Sequence, residues 1–261
     1  MPEVNAPATR TFEHCREWVK NGAEVTVVTC FPNFPNGKIY DGYKNRLYQK
    51  EMIEGIEVIR VWSFIAANQG FIKRTLDYFS FALMGLILSL KIKCDIIIAT
   101  SPQFFTSLTG MILSKIKRKP WIMEVRDLWP DSILAVGAIK NIKIISFLKK
   151  LERKCYKESN RIITVTDSFK HIMVSDGIPK EKITVVKNGV NLDLFYPRGK
   201  NNNLLSDHGL ENKFLVGYIG TLGMAHGMDF IVNVAKEIND KNIHFILIGD
   251  GANKLKLKEE I

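Results

Sequence analysis

The sequence predicts an α/β protein built on parallel sheets. Three observations carry that expectation. Short, nearly continuous β-branched runs recur along the chain, as expected for strands covered on both faces. Helical patterns lie between them, which implies right-handed crossovers. Nearly every run is followed at once by glycine or by a hydroxylic, amide or carboxylate side chain, and ligands of open parallel sheets bind beyond the carboxyl ends of the strands.

The elements follow in order. Residues 8–20 read as a helix with a stripe of Phe12, Cys15 and Val19. "EVTVVT" (24–29) is the first strand, and "CFPNFPNG" opens a loop over 31–50 whose aromatics are Phe31, Phe34, Tyr40, Tyr43 and Tyr48. "IEVIRVW" (56–62) is the next strand. Residues 70–93 hold the most apolar run, Phe79 to Leu90, which is too short to span a bilayer and reads as a buried helix. Lys73, Arg74, Lys91 and Lys93 flank it and leave an interfacial role open for its 71–78 end. "DIIIAT" (95–100), "WIMEV" (121–125), "RIITVT" (161–166) and "KITVVK" (182–187) are strands. Between the second and third of these four lies a helix with the stripe Ile144, Leu148, Leu151 and Cys155. Residues 196–212, rich in Asn, Gly and charge, read as a linker. Then come "FLVGYIG" (214–220), a helix with the stripe Met228, Ile231, Ala235 and Ile238, and "IHFILIG" (243–249). The expected organisation is a domain over 1–195 with one parallel sheet from 24–187, the linker, and an incomplete second domain over 213–261. A helix ahead of any strand, and an end inside "KLKLKEEI", read as a chain cut at both ends.

The formal charge of +10 fits phosphorylated ligands, an anionic membrane or nucleic acid, and the absence of a basic helix or a stacking-aromatic module speaks against the last. Cys15, Cys30, Cys94 and Cys155 stand far apart, which points to free thiols in a reducing compartment rather than a metal cluster. Residues 1–20 are polar and do not read as a secretory signal.

Two stretches carry chemistry. "EVRDLWPD" places Glu124, Arg126, Asp127, Trp129 and Asp131 at one strand end. It reads either as an internal Arg126–Asp salt bridge with Trp129 as a core plug, or as a ligand-facing loop with a cation, an acid and a stacking surface. "YIGTLGMAHGMD" (218–229) places Gly220, Thr221, Gly223, His226 and Gly227 between a strand and a helix. Those glycines serve a tight turn, or they let a diphosphate approach the amides at a helix start. Asp250 follows the next strand but stands 30 residues after Gly220, and the glycines do not read G-x-G-x-x-G, which disfavours a nicotinamide enzyme.

"PATRTFEHCREWVKNGAEVTVVTCFPNFPNG", "EVRDLWPDS", "ITVVKNGVNLDLFYP", "GYIGTLGMAHGMDFIV" and "ILIGDG", in that order, resemble retaining glycosyltransferases of the GT-B class. The likeness is to the large family that includes sucrose synthase, and within it to bacterial enzymes of O-antigen, capsule and exopolysaccharide assembly, L-fucosamine transferases among them. The resemblance implies two Rossmann-like domains facing across a cleft, the first taking the acceptor and the second a nucleotide sugar, UDP-linked, with no metal. It implies catalytic roles for Arg126 and Asp127, and acceptor contacts for Asn33, Ser101 and Trp129. Gly220, Thr221, Gly223, His226 and Gly227 match the donor diphosphate loop, and Asp250 and Gly251 the strand end beside the nucleotide. It further implies a polyprenyl-diphosphate-linked acceptor, and hence a peripheral place on the cytoplasmic face of an anionic membrane. Three departures stand out. Thr221 and His226 stand where many members have arginine and lysine. The family's pair of glutamates falls beyond residue 261. Asn5-Ala6 stands where glycines are common, and the strand ahead of them is missing. The other readings are a sugar-nucleotide 2-epimerase, and an inactive remnant or partner-binding module.

Overall fold

A computed structural model describes residues 3, 5–34, 37–66, 71–101, 104–135, 141–223 and 226–261. The chain divides into two compact units, Met1–Gly189 and Val190–Ile261.

In the first unit, α1 (Ala6–Lys20) starts at Asn5, whose side chain caps it by accepting from the Ala8 N–H. It leads into β1 (Thr26–Cys30), which pairs in parallel with β3 (Ile56–Val61). Strand β2 (Tyr48–Ile53) joins β3 antiparallel through Glu54-Gly55, whose φ angles of 49° and 82° suit a two-residue hairpin turn. Helix α2 (Phe71–Ser89) crosses to β4 (Ile97–Ser101), and α3 (Phe104–Lys117) to β5 (Trp121–Val125). After the short α4 (Asp131–Ala135), α5 (Ile142–Glu158) leads to β6 (Arg161–Thr164), and α6 (Asp167–Ser175) to β7 (Ile183–Val185). Strands β4-β5-β6-β7 form an all-parallel sheet in that order.

Each of the eight predicted runs forms a strand, yet the single sheet expected over 24–187 does not form. The strands fall into the β1-β3-β2 sheet and the β4–β7 sheet. Strand β2 starts inside the expected 31–50 loop and runs past its end. Its burial alternates, but the inward positions are Gln49, Glu51 and Ile53, while Met52 faces water. Glu51 accepts from the Arg60 Nε at 2.5 Å, so polar pairing takes the place of the apolar alternation that marks a strand in sequence.

The main core of this unit lies between the β4–β7 sheet and helices α3, α5 and α6, around Trp121, Met123, Ile162 and Met173. The Trp121 indole N–H donates to the Glu158 carbonyl at 3.1 Å, so the buried ring keeps its polar edge satisfied. The predicted stripe of α5 buries at its carboxyl end, at Cys155, whereas Ile144 is 47% exposed. A smaller core joins Cys15 and Val19 of α1 to Ile56 and Val58 of β3.

In the second unit, the expected linker contains a short helix, α7 (Asn202–Asp207), capped by the Asn201 side chain on the Leu204 N–H. The asparagine run that suggested irregular chain is here a capping signal. Strand β8 (Phe214–Ile219), α8 (Met228–Glu237) and β9 (Ile243–Ile248) form a parallel pair with its crossover, and α9 (Lys254–Glu260) follows. Leu222, Met228, Val232 and Leu257 make its core. The four cysteines are free. Among the described residues no group of His, Cys, Asp or Glu could hold a metal ion.

Candidate functional site

The polar groups at the carboxyl ends of the first unit's strands are organised by a residue that the sequence left unmarked. Arg10 of α1 is 8% exposed. Its Nε donates to Glu124 at the end of β5 at 3.0 Å. Its Nη1 donates to the Asn188 Oδ1 at 2.9 Å and the Lys187 carbonyl at 3.3 Å, and its Nη2 to the Val186 carbonyl at 3.1 Å. A buried guanidinium needs a paired carboxylate and acceptors for its remaining protons, and it has both. The result is a clamp from α1 onto the end of β5 and the segment after β7.

Beside the clamp, Pro7, Arg126, Asp127, Val165 and Asn188 line a cavity of about 130 Å³. The Arg126 N–H donates to the Ser101 carbonyl at 3.3 Å, which holds the ends of β4 and β5 together. Burial lowers the pKa of the Arg126 guanidinium and Arg10 adds to that, with Glu124 and Asp127 opposing. Burial also lowers that of His14, helped by Arg10 and Arg126 and opposed by Glu124, so the imidazole is neutral at pH 7. Partial desolvation raises the Asp127 carboxyl and Arg126 pulls it back. The residue as a whole is exposed.

The structure therefore joins Arg126 and Asp127 in one small cavity and adds Arg10, His14 and Asn188 around them. Among the described residues Arg126 makes no ion pair, so of the two readings the internal salt bridge is absent, and Asp131 instead pairs with Lys149 at 2.6 Å. Trp129 is half-buried rather than a core plug. Ser101 is 2% exposed, with its side chain inside the fold. Asn33 sits in a turn, where its amide donates to the Phe31 carbonyl at 2.8 Å and its backbone N–H to Glu3 at 2.7 Å. Phe31 is fully buried and Tyr43 lies over the Arg60 guanidinium, so two aromatics of that loop pack rather than face solvent. Pro102 and Gln103 of the strand-end stretch lie outside the described residues. A larger hollow of about 540 Å³, lined by Thr26, Tyr48, Glu57 and Lys91 among others, sits at the amino end of β1, where parallel sheets do not place ligands.

In the second unit, glycine geometry explains the loop. The Gly220 N–H donates to Ile248, and the Leu222 N–H to Asp250, at 3.0 and 2.9 Å, which zips the two strand ends together. A Cβ on Gly249 would lie 1.8 Å from the Gly220 carbonyl oxygen, and one on Gly251 2.5 Å from that of Leu222. These two glycines are required by backbone approach. The Tyr218 hydroxyl donates to the Thr221 carbonyl at 2.8 Å. Gly227, at φ 61°, opens α8 in the left-handed region, and no side chain caps the helix. Thr221, His226 and Gly227 are exposed. Amides at an uncapped helix start attract an anion. Asp229, in the first turn, is neutralised by Lys256 at 2.8 Å. Asp250 is held as a carboxylate by the Gly251 N–H and then by Lys254, which lower its pKa. Met224 and Ala225 of the loop lie outside the described residues.

The model of Glycosyltransferase Family 4 matches residues 8–194. A protein of Escherichia coli (strain K12) named for colanic acid biosynthesis, the glycosyl transferase WcaI, is 23% identical over 272 residues, covering 99% of this chain and 65% of its own length. The alpha-galactosylglucosyldiacylglycerol synthase of Streptococcus pneumoniae (strain ATCC BAA-255 / R6) is 30% identical over 116 residues, covering 42% of this chain and 30% of its own length. The chain thus spans less than two thirds of these relatives. The crystal structure of Anabaena Alr3699/HepE in complex with UDP superposes with a TM-score of 0.53 at 16% identity, over 78% of this chain and 50% of that one. That likeness is one of fold, and the fold is of GT-B type. With the match running from α1 through every strand of the first unit and past the Arg10 clamp, the chain belongs to glycosyltransferase family 4.

Proposed function

We propose that the protein transfers a sugar from a nucleotide-diphosphate sugar, UDP-linked, to a lipid-linked saccharide in the assembly of a bacterial surface polysaccharide. The observation that carries this reading is the uncapped start of α8 behind the glycine loop 220–227, in a chain of this family. Transfer requires the departing diphosphate to be held as charge develops on it. Backbone N–H groups near 221–228 and the His226 side chain are assigned that task, with Asp250 and Gly251 at the neighbouring strand end. Arg126 and Asp127 are assigned to the sugar undergoing transfer, with retention at its reacting carbon, and Asn33 and Trp129 to the acceptor side; Ser101, whose side chain is buried, is left out of that set. The colanic acid and glycolipid names of the two relatives support a surface saccharide or glycolipid acceptor. A polyprenyl-diphosphate carrier for O-antigen, capsule or exopolysaccharide, and a place on the cytoplasmic face of an anionic membrane, complete the reading. Family membership favours transfer over 2-epimerisation.

The test is release of nucleoside diphosphate from a panel of nucleotide sugars, with and without a polyprenyl-diphosphate sugar. Acceptor-dependent release is expected, and it should disappear in Gly223→Val, whose first side-chain carbon would press on the His226 Nδ1 at 3.1 Å. Isomerised donor would replace this reading with an epimerase. Silence beside an active longer relative would make the chain a non-catalytic piece.

A further inference from the structure

The outward side of the first unit's helices carries a surface that sugar transfer does not use. Helix α2 bares Ile72, Leu76, Phe79, Leu83 and Ile87, and Leu90 follows directly after its end, at steps of four, three, four, four and three, so they form one stripe. Ile72 is 73% exposed and Phe79 53%, while Ala82 and Ser89 on the other side are buried. The expected burial of Phe79–Leu90 thus holds for one face only, and the exposed face reaches far past the 71–78 end. Helix α3 runs alongside in the same direction. Phe79 meets Phe105 edge to face, the Thr109 hydroxyl donates to the Ala82 carbonyl, and the Lys117 ammonium donates to the Leu90 carbonyl. On its outer side α3 bares Ile112 and Ile116. Helix α5, packed against α3, bares Ile142 and Phe147.

Cations surround these apolar groups. Lys73 and Arg74 lie at the start of α2, and Lys91 and Lys93 beyond its end, all exposed. On α5, Lys143, Phe147, Lys150 and Lys154 follow at steps of four, three and four, which sets the phenyl ring in a row of ammonium groups. Among the described residues, Lys143, Lys150 and Lys154 make no ion pair, whereas the acids of the neighbouring segments are engaged. Asp95 pairs with Lys119, Glu158 with Lys115, and Glu152 accepts from the Tyr156 hydroxyl.

We infer that the outer faces of α2, α3 and α5 together form a docking surface for an anionic lipid bilayer. This deepens the membrane-side reading given above by naming the surface and its two components. Helices that lie in a bilayer interface combine Lys and Arg with Phe and Leu, whereas lysine is depleted from the cores of protein–protein interfaces. Among the described residues no helix is long and apolar enough to cross a membrane, and a stripe along the side of α2 suits a helix lying in the interface plane. The unpaired ammonium groups supply the attraction to anionic headgroups, and the stripe supplies burial once they arrive.

Cosedimentation with vesicles tests this. The chain should pellet with vesicles of phosphatidylglycerol and phosphatidylcholine, far less with phosphatidylcholine alone, and progressively less as salt rises. Lys143→Glu, Lys150→Glu and Lys154→Glu together should lower the partition about tenfold or more, and Lys73→Glu with Arg74→Glu should lower it independently. Leu83→Ser with Ile87→Ser should remove the part that survives high salt. All these side chains are exposed. Should one set fail to show a normal thermal transition, the remaining sets and the wild-type salt titration still decide. Wild-type protein left in the supernatant, or binding indifferent to salt and to both charge sets, overturns the inference. So does a lipid-free dimer in sedimentation velocity that Leu83→Ser with Ile87→Ser dissociates while vesicle binding stays absent; that assigns the face to a second copy. No donor or acceptor is present in these measurements, so their failure leaves the transfer reading standing, and a failed transfer assay leaves this surface standing.

Discussion

Arg10 and Glu124 form an ion pair whose side chains are 6% and 11% exposed, and the remaining protons of the guanidinium are spent on Val186, Lys187 and Asn188. Such a pair contributes little over a well-packed apolar substitute, but removing one partner strands the other in the interior. Arg10→Met should therefore cost about 3–5 kcal/mol of stability in the first unit, read by urea denaturation. Glu124→Gln, which keeps an acceptor for the Nε proton, should cost less. The double variant should recover part of the loss, giving a coupling energy of roughly 1–3 kcal/mol in a double-mutant cycle. Independent, additive losses would show that the clamp does not act as a unit. Burial is the main cause of the lowered pKa values of His14 and Arg126 beside it, and the Arg10 charge adds to both.

At the scale of elements, the parallel pair of β8 and β9 depends on close backbone approach at its carboxyl end. Gly249 and Gly251 sit where a side chain would enter the Gly220 and Leu222 backbones, and Gly251 has φ 154° besides. Neighbouring atoms there are backbone and cannot swing aside. Gly249→Ala should destabilise the second unit by about 1–3 kcal/mol, as overpacking does. Gly217→Ala, in the middle of β8 with nothing within 4 Å, should be neutral or mildly stabilising. Amide hydrogen exchange across 214–261 separates the two: protection lost in the first and kept in the second, with residues of the first unit unaffected in both. Equal behaviour of the two variants would mean that the strand ends are not zipped as described.

At the scale of the molecule, two half-buried carboxyls of the first unit make stability depend on pH. Burial raises Glu152 to about 7, against the hydrogen bond from the Tyr156 hydroxyl and the charge of Lys149, and raises Asp77 to about 6, against the Ala66 N–H and Arg74. The folded state thus holds protons that the unfolded chain has released. The linkage slope is negative: these groups favour the fold fully at low pH, and that contribution fades as pH rises through the window from about 4.5 to about 7 for Glu152. Glu152→Gln keeps an acceptor for the Tyr156 hydroxyl and removes the ionisation. The variant should gain thermal stability over wild type above pH 7 and show little difference at pH 5. Melting temperatures of both proteins across that range check this, and a gain that does not change with pH would assign the effect to packing.

The local pattern of the chain was enough to place eight strands, the helices α1, α2, α5 and α8 and the two polar strand ends, because periodicity and turn chemistry are read from neighbouring residues. Asn188-Gly189 and the glycines of 220–227 could be noticed in the same way. Pairing could not. Strand β2 hid because its inward side chains are Gln49 and Glu51, whose partner Arg60 lies on another strand. Whether β1 and β4 share a sheet is decided by hydrogen bonds between distant segments, and here they do not. Arg10 looked like one more helix-surface cation until folding brought it to Glu124 and Asn188, more than a hundred residues away. The apolar run on α2 showed its hydrophobicity openly, but a helical repeat is the same whether a neighbour or solvent covers a given side. The sequence alone determined which segments fold and where their polar ends fall. Only the tertiary structure decided which charges meet and which apolar faces stay bare, because both depend on what packs against an element and not on the element itself.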